Sequence, residues 1–232
     1  MQDDQVLGQP QYNVDTSVCP IEQDGPDEPM PLTTQGSRLG TAVGSWFFTL
    51  FWNGISWTIG YFILKDFHLF LALFISIFLL VGIATLLFAI YSTLQIWNPK
   101  TTVVCSQRNL YPGSEFEISW LHQGKSSSIS EFSIELEGQE SATYRQGTTT
   151  RTDKNSFYKQ TVIKTTDANE ILQGFSLVQL SEDTMHSFKG TRNSITWQIR
   201  VQGKIPFWPD INDLFVITIF PPAIEGANHA ER

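Results

Sequence analysis

Four groups of side chains have the residue types that catalysis or ligand binding requires. In the first, His186 lies near Asp183 and beside Ser187, the residue types of a hydrolase triad. Such a triad needs a rigid frame, and the local sequence has no motif that supplies one. We therefore interpret this segment as a polar lead-in to the next strand. His122 is expected in a similar strand-edge or loop setting.

Carboxylates form the second and third groups. Glutamates recur two residues apart in two predicted strands, at Glu115 and Glu117 and at Glu135 and Glu137. Carboxylates on one strand face can divide acid and base roles, but on a wet face they more simply solvate it. Asp210, Asn212 and Asp213 carry oxygen ligands for Ca²⁺ without the spacing of a calcium loop, so a turn is favoured. We predict no catalytic residue, cofactor or metal.

The fourth group is aromatic. Phe207 and Trp208 lie between Pro206 and Pro209, which stiffen the segment. The pair is a candidate contact for a protein partner or for the headgroup layer of a membrane, where Trp is favourable. The alternative is that both rings plug one end of the folded domain.

Two apolar runs, residues 46–64 and 69–96, precede all four groups in the chain and predict where the folded domain is held. Neither contains Asp, Glu, Lys, Arg or His. As helices they would reach roughly 28 and 42 Å, against a bilayer core of about 30 Å. We predict a transmembrane hairpin within residues 36–98. The lack of ionisable groups at membrane depth disfavours ion-coupled transport.

Small and polar residues recur at helical spacing in both runs. The first run has Ser45, Thr49, Asn53, Ser56 and Gly60, and the second has Gly82, Thr85, Ala89 and Ser92. Such stripes allow close helix packing. We predict that they face each other within the hairpin. Contact with a separate membrane protein or a second copy of the chain is the alternative.

Three glycines, Gly36, Gly40 and Gly44, precede the first run at four-residue spacing. On a helix they would form one smooth face for another backbone, but they also suit a hinge.

The charges divide the chain further. Residues 1–35 carry seven acids, no Lys or Arg and five prolines, which predicts a disordered acidic tail. Residues 26–31 of this tail are either an extended ligand for an aromatic groove or a solvated linker. Residues 99–232 carry fifteen acids and thirteen bases, a balance that argues against a nucleic-acid partner. Residues 223–232 are expected to be a flexible C-terminus.

The two cysteines and a few basic residues bear on the compartment and the orientation. Cys19 and Cys105 lack metal-ligand spacing, so we expect unpaired thiols in a reducing compartment, with a tail-to-domain disulfide as the alternative. The start of the chain does not resemble a signal peptide, which favours an uncleaved anchor. Arg38, Lys100 and Arg108 outnumber Lys65 in the predicted turn, which favours both termini in the cytoplasm.

Residues 99–222 show the two-residue period of half-buried strands. The inward sets are Phe116, Ile118 and Trp120, then Phe132, Ile134 and Leu136, then Ile195, Trp197, Ile199 and Val201. Strands are also predicted at 101–106, 141–145, 157–165, 175–180 and 214–220, with turns at 153–155 and 167–169 and no helix. The predicted fold is membrane α plus all-β: a two-helix hairpin followed by an antiparallel β-sandwich, Ig-like or arrestin-like.

Two segments carry a resemblance to a known family. Residues 110–116 resemble the opening of an arrestin-like sandwich, and residues 186–210 are similar to its later half. With Phe51-Trp52-Asn53-Gly54 in the first run, the chain resembles uncharacterised bacterial inner-membrane proteins with a domain of this kind. The resemblance implies a binding scaffold without catalytic residues, and only one of the two arrestin lobes fits.

These expectations combine into a function. We predict an integral protein of a bacterial inner membrane, a non-enzymatic scaffold that presents its β-sandwich to a membrane-protein partner. An accessory subunit of a larger membrane complex is the nearest alternative, and a membrane-associated hydrolase is the more distant one.

Overall fold

The computed structural model of the protein describes residues 29–65 and 69–222. Two long helices come first, α1 over Arg38–Lys65 and α2 over Leu69–Leu94, and Gln95–Trp97 adds a turn of 3-10 helix. Asn98 is extended, with φ −61° and ψ 146°, because the following Pro99 disfavours helix at that position. The predicted turn residues 66–68, most of the predicted tail (residues 1–28, with Cys19) and the predicted C-terminus (residues 223–232) lie outside the described residues.

Among the described residues, one helical stretch is long and apolar enough to cross a membrane, Leu69–Trp97. α1 has the length but not the composition, because Gly, Ser, Thr and Asn interrupt its apolar residues. The predicted membrane association therefore rests on one helix, and crossing by α1 stays a prediction.

The strands follow the helices, with one exception. In chain order they are β1 (Met30–Pro31), β2 (Lys100–Cys105), β3 (Glu115–Gln123), β4 (Glu131–Gln146), β5 (Thr149–Thr165), β6 (Gln173–Gln179), β7 (Phe188–Lys189), β8 (Asn193–Lys204) and β9 (Ile211–Ile217). One antiparallel sheet has the order β1-β2-β3-β6. The other has the order β5-β4-β8, with β7 and β9 both pairing to β8. The predicted antiparallel sandwich is confirmed.

The core lies between the two sheets, and the predicted inward residues form it. Phe116, Ile118 and Trp120 of β3 meet Phe132, Ile134 and Leu136 of β4, and the Trp120 and Phe132 ring centroids are 5.9 Å apart. Trp197, Ile199 and Val201 of β8 are also fully buried. Ile195, near the start of β8, is only half-buried and packs against this core. Period-two alternation predicted these faces because burial on one side of a sheet imposes it.

Three details correct the sequence analysis. Residues 30–31 of the predicted tail form β1, and Leu32 is 8% exposed within the core, so the folded domain begins before α1. The predicted strand at 141–145 is the continuation of β4, and the predicted turn at 153–155 lies inside β5. The predicted turn at 167–169 begins a short helix, α3 (Ala168–Leu172), whose first amides are capped by the Asp167 carboxylate.

β4 and β5 extend as a hairpin beyond the rest of their sheet. β8 pairs with β4 only as far as Ala142, whereas the β4–β5 pairing continues to Gln146 and Thr149. We call residues 143–152 the distal arm. A two-residue loop closes it at Gly147, whose φ of +64° suits glycine. The arm lies at the opposite end of β4 from Glu131.

His122 is buried, not at a strand edge as expected. It is 3% exposed on β3, with its ring edge-on to Phe132 at 4.9 Å. Nδ1 donates to the Ile171 carbonyl at 2.7 Å, so the neutral ring accepts at Nε2 from Thr101 Oγ1, 3.0 Å away. Burial lowers the pKa of His122 despite the Ile171 carbonyl and the charge of Asp213, which both act to raise it.

Acidification from pH 7.5 to 5.5 is expected to destabilise the sandwich through His122. The unfolded chain takes up a proton near its ordinary pKa of about 6.5, whereas folded His122 stays neutral until lower pH. The stabilisation by neutral His122 is therefore complete above the ordinary pKa of about 6.5. It is lost as the pH falls from there through the lower pKa of the folded state. The thermal unfolding midpoint of the full chain in micelles measures it. His122→Gln, which keeps one donor and one acceptor, should reduce the change in midpoint between the two pH values, and an equal change would contradict this assignment.

Candidate functional site: the helix seam and the helix–sandwich junction

The polar stripes of α1 and α2 face each other. We call this contact the helix seam, and all nine predicted stripe residues are buried or half-buried in it. The Ser45 and Ser92 hydroxyl oxygens lie 2.8 Å apart. Thr49 Oγ1 donates to the Thr85 carbonyl at 3.0 Å. These hydroxyl groups would have no hydrogen-bond partner in lipid, and each of them has one between the helices.

Gly82 of α2 makes room for the Asn53 side chain of α1. Asn53 Nδ2 donates to the Gly82 carbonyl at 3.2 Å and to the Thr49 carbonyl of its own helix at 2.9 Å. A Cβ on Gly82 would lie 2.4 Å from Asn53 Oδ1, so glycine is required there. The other seam members Ser56, Gly60 and Ala89 are buried, and Gly60 faces Ile75.

Two tryptophans also bond across the seam, and neither bond was predicted from the sequence. Trp46 donates from Nε1 to Thr93 Oγ1 at 2.8 Å. Trp52 donates from Nε1 to the Phe78 carbonyl at 3.1 Å and stacks on the Phe78 ring with centroids 5.8 Å apart. Trp52 directly precedes Asn53, a residue of the polar stripe. Its indole N–H is a donor that needs a partner when buried, and this was the signal that could have predicted the bond.

The three glycines before the first run do not take part in the seam. Gly36 precedes α1 with φ +94°, while Gly40 and Gly44 lie within α1 and are exposed. A Cβ on Gly44 would meet nothing within 4 Å, and one on Gly40 would meet only Ser37. In the described part of the chain, this smooth face has no helix against it.

A second polar network, which we call the junction, joins the helices to the sandwich. Arg38, the first residue of α1, binds Asp213 of β9 through both carboxylate oxygens, from Nη2 at 2.9 and 2.7 Å. Its Nη1 donates to the carbonyls of Asn98 and Pro99 at 3.2 and 3.3 Å. One guanidinium therefore holds the start of α1, the end of the α2 stretch and β9 together.

Asn98 extends the junction to the loop between β8 and β9. Its Nδ2 donates to the Pro209 carbonyl at 3.0 Å and to the Asp210 carbonyl at 3.3 Å. Its Oδ1 accepts from Trp208 Nε1 at 2.7 Å. Asn98 is 5% exposed, so these bonds are shielded from water. Arg38 served only the orientation argument in sequence, because the junction contacts join residues that are 60 to 175 positions apart.

A cleft of about 710 Å³ opens beside the junction. Arg38 and Lys100 line it, and so do Asp210 and Asp213. Because charges of both signs share the cleft, it has no clear preference for an anionic or a cationic ligand.

The aromatic pair is divided between two environments. Trp208 is held by Asn98 and is 39% exposed, so it is neither a buried plug nor a free ring. Phe207 is fully exposed, at 107% of its reference area, and has a φ of 58°.

The structure does not assemble the residues of the possible hydrolase triad. Ser187 Oγ accepts from the Ile219 amide at 2.9 Å, and the Ser187 amide donates back to the Ile219 carbonyl. Within residues 29–65 and 69–222, no hydrogen bond joins His186 to Ser187 or to Asp183. A base that activates Ser187 is therefore absent from this geometry.

The carboxylates are used in ion pairs. Burial acts to raise the pKa of Glu137, but hydrogen bonds from Gln198 and Arg200 outweigh it and hold the pKa below its usual value. Glu135 has its own partner in Lys159, at 3.1 Å. Asp210 Oδ1 accepts from the Ile205 amide, and no metal-binding group of three His, Cys, Asp or Glu occurs in the described ranges. These carboxylates stabilise the sandwich.

Cys105 is 2% exposed on β2, and burial raises the pKa of its thiol. A buried protonated thiol is a weak nucleophile. Whether it ever pairs with Cys19 stays a prediction, because Cys19 lies outside the described residues.

Comparison with protein families finds no matching family model, and no curated protein matches the sequence. Among solved structures, the chain is similar to the crystal structure of Spo0M, a sporulation control protein from Bacillus subtilis, with 13% identity and a TM-score of 0.37. The match covers 52% of this chain and 49% of that one, so the chain spans about half the length of that protein. A likeness at this level does not assign the chain to a family.

Proposed function

We propose that this protein is a non-enzymatic membrane scaffold, in which α1 and α2 cross the bilayer as a hairpin and hold the β-sandwich at its surface. The observation that carries the proposal is the position of β1. Residues 30–31 precede α1 yet pair with β2, which follows α2. Chain before the first helix and chain after the second therefore belong to one folded domain, which must lie on one side of a membrane. If α2 crosses, α1 must cross back.

The outer surface of the helix pair supports this arrangement. Most polar side chains of α1 are turned into the seam, and the exposed Thr58 donates to the Gly54 carbonyl of its own helix, so the outward residues are largely apolar. The most exposed apolar residues of the two helices include Phe47, Leu50, Tyr61, Phe62, Leu69, Phe70, Leu73 and Leu80. A continuous apolar surface of this size is unstable in water and suits lipid. The composition of α1 as a whole is less apolar because Ser45, Thr49, Asn53 and Ser56 lie on the side that packs against α2.

The junction supports a scaffold more than a loose tether. Arg38 and Asn98 bond the membrane end of each helix directly to β9 and to the β8–β9 loop. The sandwich is therefore held in a fixed orientation, with the distal arm as the part of β4 and β5 farthest from the helices. A fixed domain of this kind suits recruitment of a protein at the membrane surface. Arg38, Lys100 and Arg108 lie on the sandwich side of the helices, against Lys65 alone in the predicted turn. Because basic residues favour the cytoplasmic side, we place the sandwich in the cytoplasm.

An accessory subunit of a larger membrane complex is the second candidate. The exposed face of Gly40 and Gly44 favours it, because small residues allow the close approach of another membrane helix.

Membrane extraction tests the anchor. We expect the full chain to stay with membranes through alkaline carbonate washing and to be released only by detergent, since two apolar helices are involved. The measurement is the fraction of chain in the pellet. Recovery as a freely soluble monomer without detergent would contradict the proposal.

Chemical cross-linking in membranes, followed by mild-detergent purification, tests recruitment. A Gly44→Leu variant distinguishes the candidates: a complex subunit should lose its partner, while a scaffold acting through the sandwich should keep it. Recovery of the chain alone at several expression levels would count against both candidates.

A further inference from the structure

The loop between β8 and β9 is held rigidly next to the end of the helices. Its Trp208 and Pro209 are bonded by Asn98, and the Asp210 carboxylate accepts from the Ile205 amide at 3.0 Å. The Trp208 amide donates to the Ile205 carbonyl at 3.2 Å, which closes the turn. Every residue around Phe207 is thus fixed in place.

Phe207 itself is strained and has no support from its own chain. Its φ of 58° is a left-handed conformation that a bulky side chain rarely adopts. Among the described residues with a non-glycine side chain, it is the one with positive φ. The ring is fully exposed, so no buried contact within the described structure offsets the strain. An exposed phenyl ring held at such a position indicates a contact outside the domain.

The height of the loop identifies that contact. Asn98 directly follows Trp97, the last residue of the stretch able to span a membrane, and Trp97 is 68% exposed. Each headgroup layer is about 5–8 Å thick. The Pro209 backbone carbonyl accepts from Asn98 Nδ2 at 3.0 Å, and two residues of chain span at most about 7 Å, so Phe207 lies close to the end of the helical stretch. If α2 crosses the bilayer, Phe207 lies at the level of the headgroups.

We propose that Phe207 inserts into the headgroup layer of the bilayer, as a third attachment point beside the two helices. This inference rests on the proposed function, since it requires α2 in the membrane. Trp208 has the separate task of fixing the loop to Asn98. Aromatic rings are favoured at the boundary between headgroups and acyl chains, and insertion replaces the water around the exposed ring by lipid. A third attachment point beside the two helices restricts the tilt of the sandwich as well as its height.

Depth-dependent fluorescence quenching tests the insertion. The probe is an environment-sensitive fluorophore on Phe207→Cys, in a Cys19→Ser background where Cys105 remains buried. The full chain is reconstituted into vesicles of phosphatidylcholine and phosphatidylglycerol, with a nitroxide high on the acyl chain. We expect blue-shifted emission and several-fold stronger quenching at position 207 than at Thr148→Cys, an exposed site on the distal arm.

A label at Phe88→Cys, on the exposed face of α2, separates the two proposals. Quenching at 88 with water-like emission at 207 would overturn the insertion and leave the anchor intact. Water-like emission at both positions would overturn the anchor itself.

Hydrogen exchange of residues 205–210 provides a second measurement without a label. Glycine accepts a φ of 58° without strain, so Phe207→Gly should slow exchange, or leave it unchanged, if the ring has only a local effect. If the ring is anchored in lipid, the same variant should speed exchange in vesicles several-fold, with no such increase in detergent. A slower rate in vesicles would overturn the proposal.

Discussion

Leucine at position 82 is expected to separate α1 from α2. The added Cβ would lie 2.4 Å from Asn53 Oδ1, so the helices must move apart or Asn53 must leave its position. Either movement breaks the bond from Asn53 to the Gly82 carbonyl and loosens the Thr49–Thr85 bond. Overpacking costs about 1–3 kcal/mol, and each interhelical bond adds about 0.6 kcal/mol. Close contact along the seam should therefore fall at least tenfold.

Disulfide formation between Ser45→Cys and Ser92→Cys measures that contact, because the two hydroxyl oxygens are 2.8 Å apart. Alkylation followed by intact mass gives the fraction of paired thiols over time, in a Cys19→Ser background. Gly54→Leu is the matched control, since a Cβ there meets nothing within 4 Å. Cross-linking should slow with Gly82→Leu and not with Gly54→Leu. Equal slowing in both variants would mean that the seam does not depend on close approach at Gly82.

The seam could be predicted from the sequence because its signal is periodic. Residues such as Thr49 and Asn53 recur at one helical spacing, and Thr85 and Ala89 at another, so each set must share a face. The same reasoning placed Trp120 and Phe132 in the core. Average hydropathy hides this order, because it gives α1 a lower value without recording which side its polar groups face.

The junction could not be predicted in the same way. Arg38 and Asp213 are 175 positions apart, and nothing in their local sequences marks them as partners. β1 was missed for a related reason: a two-residue strand has no periodicity, and it depends on the existing edge of β2. The turn predicted for Asp210, Asn212 and Asp213 was wrong for the last two residues, because both lie on β9, where Asp213 binds Arg38.

Removing the Arg38–Asp213 pair is expected to loosen the sandwich from the helices. Nη2 of Arg38 contacts both carboxylate oxygens of Asp213, and the two side chains are only 25% and 12% exposed, so water screens the pair weakly. A double-mutant cycle of Arg38→Ala and Asp213→Ala should give a coupling energy of about 1–3 kcal/mol in the free energy of unfolding of the full chain in micelles. Denaturant unfolding followed by near-ultraviolet circular dichroism measures it. Arg38→Lys should recover only part of this coupling, because one ammonium nitrogen cannot bind Asp213 and also donate to the Asn98 and Pro99 carbonyls, as Nη2 and Nη1 of Arg38 do.

Lys159 and Glu135 provide the matched control within the same sandwich. Their ion pair is 3.1 Å long, but Lys159 is 62% exposed, so its coupling energy should stay between about 0 and 1 kcal/mol. Hydrogen exchange adds a readout of position: Arg38→Ala should speed exchange around Asn98 and in β9, while Lys159→Ala should leave both unchanged. Equal coupling energies for the two pairs, with unchanged exchange at Asn98, would show that the guanidinium contributes charge alone and does not hold the helices to the sandwich.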